Sequence, residues 1–386
     1  MMAKDEFRLW VFGDAHVGSD LKFGRKSLAY ALRTSEQGGA EGGTPFHWDI
    51  AVDVGDMSGG QGLPDDEEGK EVVQQLSVLK KHRREDIYSV CGNHDRSGLG
   101  EPPAWWWRKW IDPMGRNRAF SGVNPHKRPS PVEGTWERYS FCVGNVLFLM
   151  MSDINEPSQT LGRGDLGGNP AGVVSGATFR WWKEMVERHP ECIIITVHHY
   201  VLKDTTVASG DWEGMRSEGD GKWRGHYHGY KPEGAPRGAS YLYFVDSVPD
   251  SGSFESFLND HPGEVDLWFG GHTHTHPDDQ YGGKSHVETR WGTHFINAAC
   301  LTRYHVPETS VPKSRILTFT EGSDQVQVDC YLHSGEFMPE GWYERASRTL
   351  RLSQPFHSAP TGAPVECPEN HAAKQGIENP ETPNKT

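Results

Sequence analysis

The chain has 386 residues, enough for one large domain or two ordinary ones, and its 14 Trp, 16 Phe and 12 Tyr supply the buried area a sizeable core needs. A formal net charge of −14 sets an average field that repels a long polyanion such as duplex nucleic acid, while a local cationic site can still hold one phosphate. Nowhere do about 18 apolar residues run together, and Met1–Trp10 carries charge, so neither a membrane span nor a secretory leader is expected and a cytoplasmic location is.

The segment Phe7–Phe12 predicts a first buried strand, ending in Gly13-Asp14-Ala15-His16. Asp49–Val54 predicts a second, ending in Gly55-Asp56. A helix is predicted over Glu71–Arg84, where Val72, Val73, Leu76 and Leu79 share a face. Ile87–Cys91 predicts a third strand, ending in Gly92-Asn93-His94-Asp95. Residues 98–133, rich in Pro, Gly, Arg and Trp, read as a long insert. Arg138–Cys142 and Val146–Met151, joined through Val143-Gly144-Asn145, predict a hairpin. The Gly-rich stretch 157–175 reads as a second insert and precedes a helix over Thr178–Arg188, with Phe179, Trp182, Met185 and Val186 on one face. Cys192–Val197 predicts a strand ending in His198-His199, followed by a third insert at 207–239. Val265–Phe269 predicts the last strand of this kind, ending in Gly270-Gly271-His272-Thr273-His274. Ile316–Thr320 and Gln325–Leu332 predict a second hairpin around Gly322-Ser323-Asp324. Regular patterning stops after about Ser334, and from Pro355 the chain is polar and rich in Pro, Asn and Gly.

Strands alternating with helices predict an α/β fold, and the hairpins make its sheets mixed. The expectation is two mixed β-sheets packed face to face as a sandwich, flanked by helices, with the three inserts as lid loops. It covers residues 1–333, and 334–386 form a C-terminal extension, largely irregular or disordered from about 355. The six cysteines (Cys91, Cys142, Cys192, Cys300, Cys330 and Cys367) show no paired spacing and read as reduced, mostly buried thiols.

Each of the five strand ends carries His, Asp or Asn, and no thiolate joins them. Loops at the carboxyl ends of neighbouring strands leave a sheet together, so these donors are expected to converge. Such a set can hold two divalent ions roughly 3.5–4 Å apart, which neutralise phosphoryl oxygens and make hydroxide available near neutral pH. Asp56 is suited to bridge, Asp14 with His16 to bind one ion, and Asn93 to supply a neutral oxygen. Oxygen and imidazole donors suit Mn, Fe, Zn or Co.

The ordered set D-x-H, G-D, G-N-H-D, H and G-H-x-H resembles the calcineurin-like metallophosphoesterase family, from about Phe7 to Leu332. Trp48-Asp49-Ile50, Ser152-Asp153, Trp181-Trp182 and Phe295-Ile296-Asn297-Ala298 add local likeness. The resemblance implies that residues 1–333 are a catalytic domain and that a metal-bridging hydroxide attacks a phosphate ester. It implies two divalent or mixed-valence ions, of Mn, Fe or Zn. Asp14, His16 and His274 would bind the first ion, Asn93, His198 and His272 the second, and Asp56 both. His94 would sit beside the scissile phosphate, oriented by Asp95. At a strand end only one of His198 and His199 can face the metals; the first is assigned by analogy. Two positions depart from the family pattern: Gly59 stands where Asp or Asn is common, which also argues against an iron-tyrosinate centre, and no Pro follows His198-His199-Tyr200.

The expected substrate is a small phosphate ester, with a diester preferred because the inserts suit recognition of an organic part. A phosphomonoesterase, a nuclease and a non-catalytic interaction module are the competing readings. The acidic balance counts against a nuclease, and the full donor set against a module. Trp105, Trp106, Trp107 and Trp110 either stack on a substrate ring or glue the insert to the core, the second being preferred. His226, His228 and His276 read as loop residues or substrate contacts, and Arg96, Arg163, Arg216 and Arg224 as solvated unless one clamps phosphate.

Overall fold

The computed structural model describes residues 5–152 apart from 20, 22, 23, 61 and 99, residues 173–210, short strands at 215–217, 223–225, 244–245 and 248–249, residue 242, and residues 252–359 apart from 281–282 and 304–309.

Side-chain alternation along the strands sets the architecture. In β1 (Glu6–Phe12), Leu9 and Val11 face one way, Trp10 and Phe12 the other, and all four are buried. A strand apolar on both faces needs a layer on each. Leu9 and Val11 join an apolar cluster between two sheets, whereas Trp10 and Phe12 join one beneath helices.

Numbering the strands of the two large sheets in chain order, the first sheet adds β2 (Ile50–Asp53) and β3 (Ile87–Ser89). The second sheet holds β4 (Glu133–Gly134), β5 (Arg138–Val143), β6 (Val146–Met151), β7 (Ile193–Val197), β8 (Leu267–Gly270), β9 (Val287–Arg290) and β10 (Thr293–Asn297). The first is completed by β11 (Lys313–Thr320), β12 (Gln325–Leu332), β13 (Gly341–Trp342) and β14 (Arg348–Arg351). Their orders are β13-β12-β11-β1-β2-β3, with β14 also on β12, and β9-β10-β8-β7-β6-β5-β4. Strands β1-β2-β3 and β6-β7-β8-β10 are parallel, and the flanking pairs are antiparallel. The sheets are therefore mixed, as expected, and their inner faces meet through residues such as Val52, Phe141, Phe148, Ile195 and Phe269.

Helices cover both outer faces. Leu28 and Leu32 of α1 (Ser27–Gln37), Val72 and Leu76 of α2 (Asp66–Leu76) and Trp107 of α3 (Trp105–Trp110) lie with Trp10 and Phe12. A short α4 (Arg118–Ser121) follows in the same insert. Trp182 of α5 (Gly176–Arg188) meets Phe254 of α6 (Ser253–Asp260) edge-on at 4.9 Å, over Trp268 of the second sheet. Helix α2 begins earlier than its apolar spacing predicts. Asp65 caps it by accepting the Glu68 N–H at 2.9 Å, and Asp66, Glu67 and Glu68 suit the positive end of its dipole. It also ends earlier, because the Lys80, Lys81 and His82 N–H groups donate to the Glu36 carboxylate at 2.8–2.9 Å instead of continuing a helical ladder.

Two expectations about the chain's layout are corrected. Residues 334–359 belong to the domain expected to end at 333: β13 and β14 extend the first sheet, and Leu350, Leu352 and Phe356 are buried in the inter-sheet core. The disorder expected from about 355 does not hold at Phe356, whose N–H donates to the Ser323 carbonyl and whose ring stacks on Phe7 at 6.0 Å. Residues 360–386 lie outside the described residues. The insert 98–133 is folded, while 157–175 and 207–239 lie mostly outside the described residues. Among the described residues no helix is long and apolar enough to cross a membrane.

Candidate metal centre

The five strand ends meet at one edge of the sandwich. The chain leaving β1 pairs with that leaving β2: the Asp14 N–H donates to the Gly55 carbonyl at 2.8 Å and the His16 N–H to the Asp56 carbonyl at 3.0 Å. The loop after β8 is tied to Asp14, whose Oδ1 and Oδ2 accept the His272 N–H at 3.0 and 3.2 Å. The loop after β3 is tied to Asp56, whose Oδ1 accepts the His94 N–H at 2.7 Å. Two glycines permit this crowding. A Cβ at Gly92 would lie 2.2 Å from Asp56 Oδ1, and one at Gly271 would lie 2.3 Å from Asp14 Oδ2. Asp14, His16, Asp56 and His272 also have positive φ, of 52°, 39°, 60° and 68°. That region is uncommon for residues with a Cβ and recurs where a side chain must be aimed at a site.

The side chains so aimed form two sets. Asp14, His16 and His274 make one, with His274 Nε2 3.1 Å from Asp14 Oδ1 and 3.0 Å from His16 Nε2. Asp56, His199 and His272 make the other, joined by Asn93, whose Oδ1 lies 2.9 Å from both His199 Nε2 and His272 Nδ1. Asp56 Oδ2 lies between the sets, 3.2 Å from His199 Nε2 and 3.8 Å from His16 Nε2. His94 stands beside both, its ring edge-on to His16 at 4.8 Å. None of these residues is more than 4% exposed.

Backbone carbonyls select the tautomers. His16 Nδ1 faces the Ser58 carbonyl at 2.8 Å, and His199 Nδ1 faces that of Val54 at 2.9 Å. A carbonyl only accepts, so each Nδ1 carries a proton and each neutral ring keeps its lone pair on Nε2. For His199 that lone pair points at oxygens of Asp56 and Asn93. Acceptors turned on one another at these distances repel unless a positive charge lies among them. His199 Nε2 therefore sits where positive charge is needed, whether a proton or a cation supplies it.

The electrostatics agree. Burial, aided by neighbouring imidazoles, holds His16 and His272 well below the usual histidine range, so both are neutral donors. Burial alone would push the Asp56 carboxyl up, but His199, His94 and His16 hold it well below the usual carboxylate range. Burial likewise opposes charge on His199, yet Asp56 and the other groups around it raise its pKa to about 9. The cluster recruits a proton where it can, as a site built for positive charge does.

Of the residues expected here, Asp14, His16, Asp56, Asn93, His94, His272 and His274 come together, and His198 does not. Ile193, Ile195 and Val197 point between the sheets, whereas Ile194 belongs to the helix-covered cluster and Thr196 bonds Trp182. His199 continues the inward series and His198 the outward one. His198 Nδ1 accepts the Tyr200 N–H at 3.0 Å, and its Nε2 has no hydrogen-bond partner among the described residues. The assignment thus moves from His198 to its neighbour, by a parity that could be counted along the strand. Asp95 is corrected as well. Its carboxylate accepts the N–H groups of Gly92, Asp56 and Ser58 at 2.8–3.0 Å, holding two loops together, while His94 Nδ1 meets the Gly60 carbonyl at 2.7 Å.

Sequence reasoning missed Glu68. Its Oε1 accepts from Ser58 Oγ at 2.8 Å, from the Gly60 N–H at 3.3 Å and from the Gly59 N–H, and so fixes the turn that orients His94. The tryptophans glue the insert to the core: Trp106, Trp107 and Trp110 are buried, and Trp106 Nε1 donates to the Asp65 carbonyl at 2.6 Å. Arg96 is buried and donates to the Gly62 carbonyl at 2.8 Å. His226, His228, Arg163 and the side chains of Arg216 and Arg224 lie outside the described residues.

No curated protein matches the chain. Among solved structures it is similar to GAP50, the anchor in the inner membrane complex of Plasmodium, at 12% identity over 91% of this chain and 90% of that one, with a TM-score of 0.42. It is similar to vacuolar protein sorting 29 from Cryptosporidium parvum, at 11% identity over 90% and 100%, with a TM-score of 0.34. Vps29 from Chaetomium thermophilum matches at 10% identity over 90% and 100%, with a TM-score of 0.31. A calcineurin-like phosphoesterase family model matches residues 7–276, the stretch that carries every donor of the centre, and the chain belongs to that family.

Proposed function

We propose that the chain hydrolyses a small phosphodiester with a pair of divalent or mixed-valence cations, of Mn, Fe or Zn. Asp14, His16 and His274 would hold one cation, Asn93, His199 and His272 the other, and Asp56 both. The observation that carries this reading is the meeting of two buried donor sets, Asp14, His16 and His274 in one and Asn93, His199 and His272 in the other, with Asp56 Oδ2 between them, 3.2 Å from His199 Nε2 and 3.8 Å from His16 Nε2. When bound, two such ions supply positive charge to the phosphoryl oxygens and lower the pKa of a water between them.

The protein's own groups do the rest. His94 keeps its Nδ1 proton on the Gly60 carbonyl, so Nε2 is the atom that exchanges a proton with the substrate. Charged, it donates to a phosphoryl oxygen or to the leaving oxygen. Asp95 pins the loops on which Asp56 and His94 sit, which keeps the reacting groups in register. The two long inserts at 157–175 and 207–239 support a substrate held through its organic part, and hence the diester. The acidic balance disfavours long nucleic acid as substrate.

The test is turnover of bis-aryl against mono-aryl phosphates by protein reloaded with Mn, Fe or Zn, with cation content measured on the same sample. Faster turnover of the diester is expected. Preference for the monoester reassigns the substrate to a phosphomonoester, and no turnover of either by fully loaded protein makes the chain a binding module.

A further inference from the structure

We propose that the chain carries a second ligand site, a pocket built on Arg315 and Arg348 that takes one free tetrahedral oxyanion such as inorganic phosphate. The pocket is a cavity of about 80 Å³ between the segment that follows His274 and the β13–β14 connection. None of its lining residues belongs to the metal centre, so the site stands or falls apart from the function proposed above.

Arg315 lies on β11, in register with Leu317 and Phe319, which point into the inter-sheet core. Its side chain therefore enters the space between the sheets and is 0% exposed. Nη1 donates to the Ala346 carbonyl at 3.2 Å, while Nε and Nη2 are buried with no hydrogen-bond partner among the described residues. Nor does any carboxylate among the described residues pair with it within 4.0 Å. A guanidinium cannot escape burial by losing its proton, so its charge calls for an anion.

The surroundings add positive potential. Lys313, two residues earlier and also 0% exposed, donates to the Thr275 carbonyl at 2.6 Å. Arg348 lines the cavity and donates to the Ser347 and Arg345 carbonyls. His286 lines it too, and burial, with the charges of Lys313 and Arg315, holds its imidazole well below the usual range. The carboxylates at the rim are engaged elsewhere. Asp278 accepts from Tyr343 Oη at 2.5 Å and pairs with Arg345 at 3.3 Å, and Asp279 accepts the His276 N–H at 2.7 Å.

Size and chemistry name the occupant. At about 30 Å³ per water the cavity admits a few waters or one tetrahedral oxyanion, and it is too small for a nucleotide. A guanidinium with two unspent nitrogens matches the paired oxygens of such an ion. Bound there, the anion would tie β11 and β14 to the segment leading from His274.

The test uses the full-length Asp56→Asn chain, in which phosphate has no cation pair to bind. Calorimetric titration with inorganic phosphate is expected to show one site, and adding Arg348→Gln is expected to weaken it at least about tenfold. Adding Arg315→Met is expected to abolish it; should that variant not fold, Arg348→Gln decides. Crystals of the Asp56→Asn chain grown in selenate are expected to show anomalous density beside Arg315. No phosphate binding by the Asp56→Asn chain, or unchanged affinity after Arg348→Gln, would overturn the proposal, as would water alone beside Arg315.

Discussion

The two oxygens of Asp56 serve different neighbours: Oδ1 accepts the His94 backbone N–H at 2.7 Å, and Oδ2 faces the His199 ring nitrogen at 3.2 Å. An amide cannot do both. In Asp56→Asn one of these positions becomes an NH₂ that either opposes the His94 N–H or fails as a donor to cations. Cation affinity is expected to fall by more than the 10–100-fold typical of outer-sphere groups, and activity with it. Elemental analysis after gel filtration, paired with a turnover assay, checks this. A variant with full cation content and normal rate would show that Asp56 is not shared.

His94 and Glu68 separate catalysis from positioning. His94→Ala removes the ring that exchanges protons but neither cation set, so cation content should hold while kcat drops by about 10²–10⁴. Glu68 reaches His94 through the Ser58–Gly60 turn. Glu68→Ala is expected to lower kcat with little change in KM. Glu68→Gln, which keeps an acceptor oxygen, should restore most of the rate. If Gln does not rescue, the carboxylate charge rather than the turn is what matters.

The histidine pair after β7 gives opposite expectations for adjacent residues. His199→Ala removes the Nε2 that faces Asp56 and Asn93, and should cost one cation and nearly all activity. His198→Asn keeps an acceptor for the Tyr200 N–H and should leave cation content unchanged. Cation loss in His198→Asn with retention in His199→Ala would reverse the assignment.

That pair also shows how far the sequence could be read. The donor types and their order were legible because Gly-Asp, Gly-Asn-His-Asp and Gly-His-x-His each follow a strand, and strand ends converge. Which of two histidines turns inward was harder, since Ile194 and Ile195 are equally apolar and only Thr196 marks the outward face. Glu68 was invisible for another reason: its role depends on a turn at 58–60 packing onto the start of α2, a tertiary fact with no local signal. The strands β13 and β14, two and four residues long, are too short for a period to show, and Phe356 lies in a polar stretch although it completes the core. In the Trp-rich insert the sequence left stacking and packing both open, and burial of Trp106, Trp107 and Trp110, with Trp106 and Trp110 bonded at the start of α2, favours packing.

Proton release on cation uptake tests the charge logic of the centre. Burial opposes a charged His199, but Asp56 and its other neighbours raise the pKa from 6.5 to about 9. Below about pH 6.5 both the folded and unfolded chains hold this proton, so its stabilisation is fully present. Between 6.5 and about 9 only the folded chain holds it, so the stabilisation declines and is lost above 9. Chelated protein should therefore lose stability as pH climbs through this window. A cation at His199 needs the Nε2 lone pair, so uptake must expel the proton. Near neutral pH we expect about one proton released per chain, and an apparent affinity that rises roughly tenfold per pH unit before flattening near 9. Calorimetry in two buffers of different ionisation enthalpy reads the proton directly. An apparent enthalpy that does not depend on buffer, with affinity flat across that range, would mean that His199 is already neutral before the cation arrives and that Asp56 does not hold a proton on it.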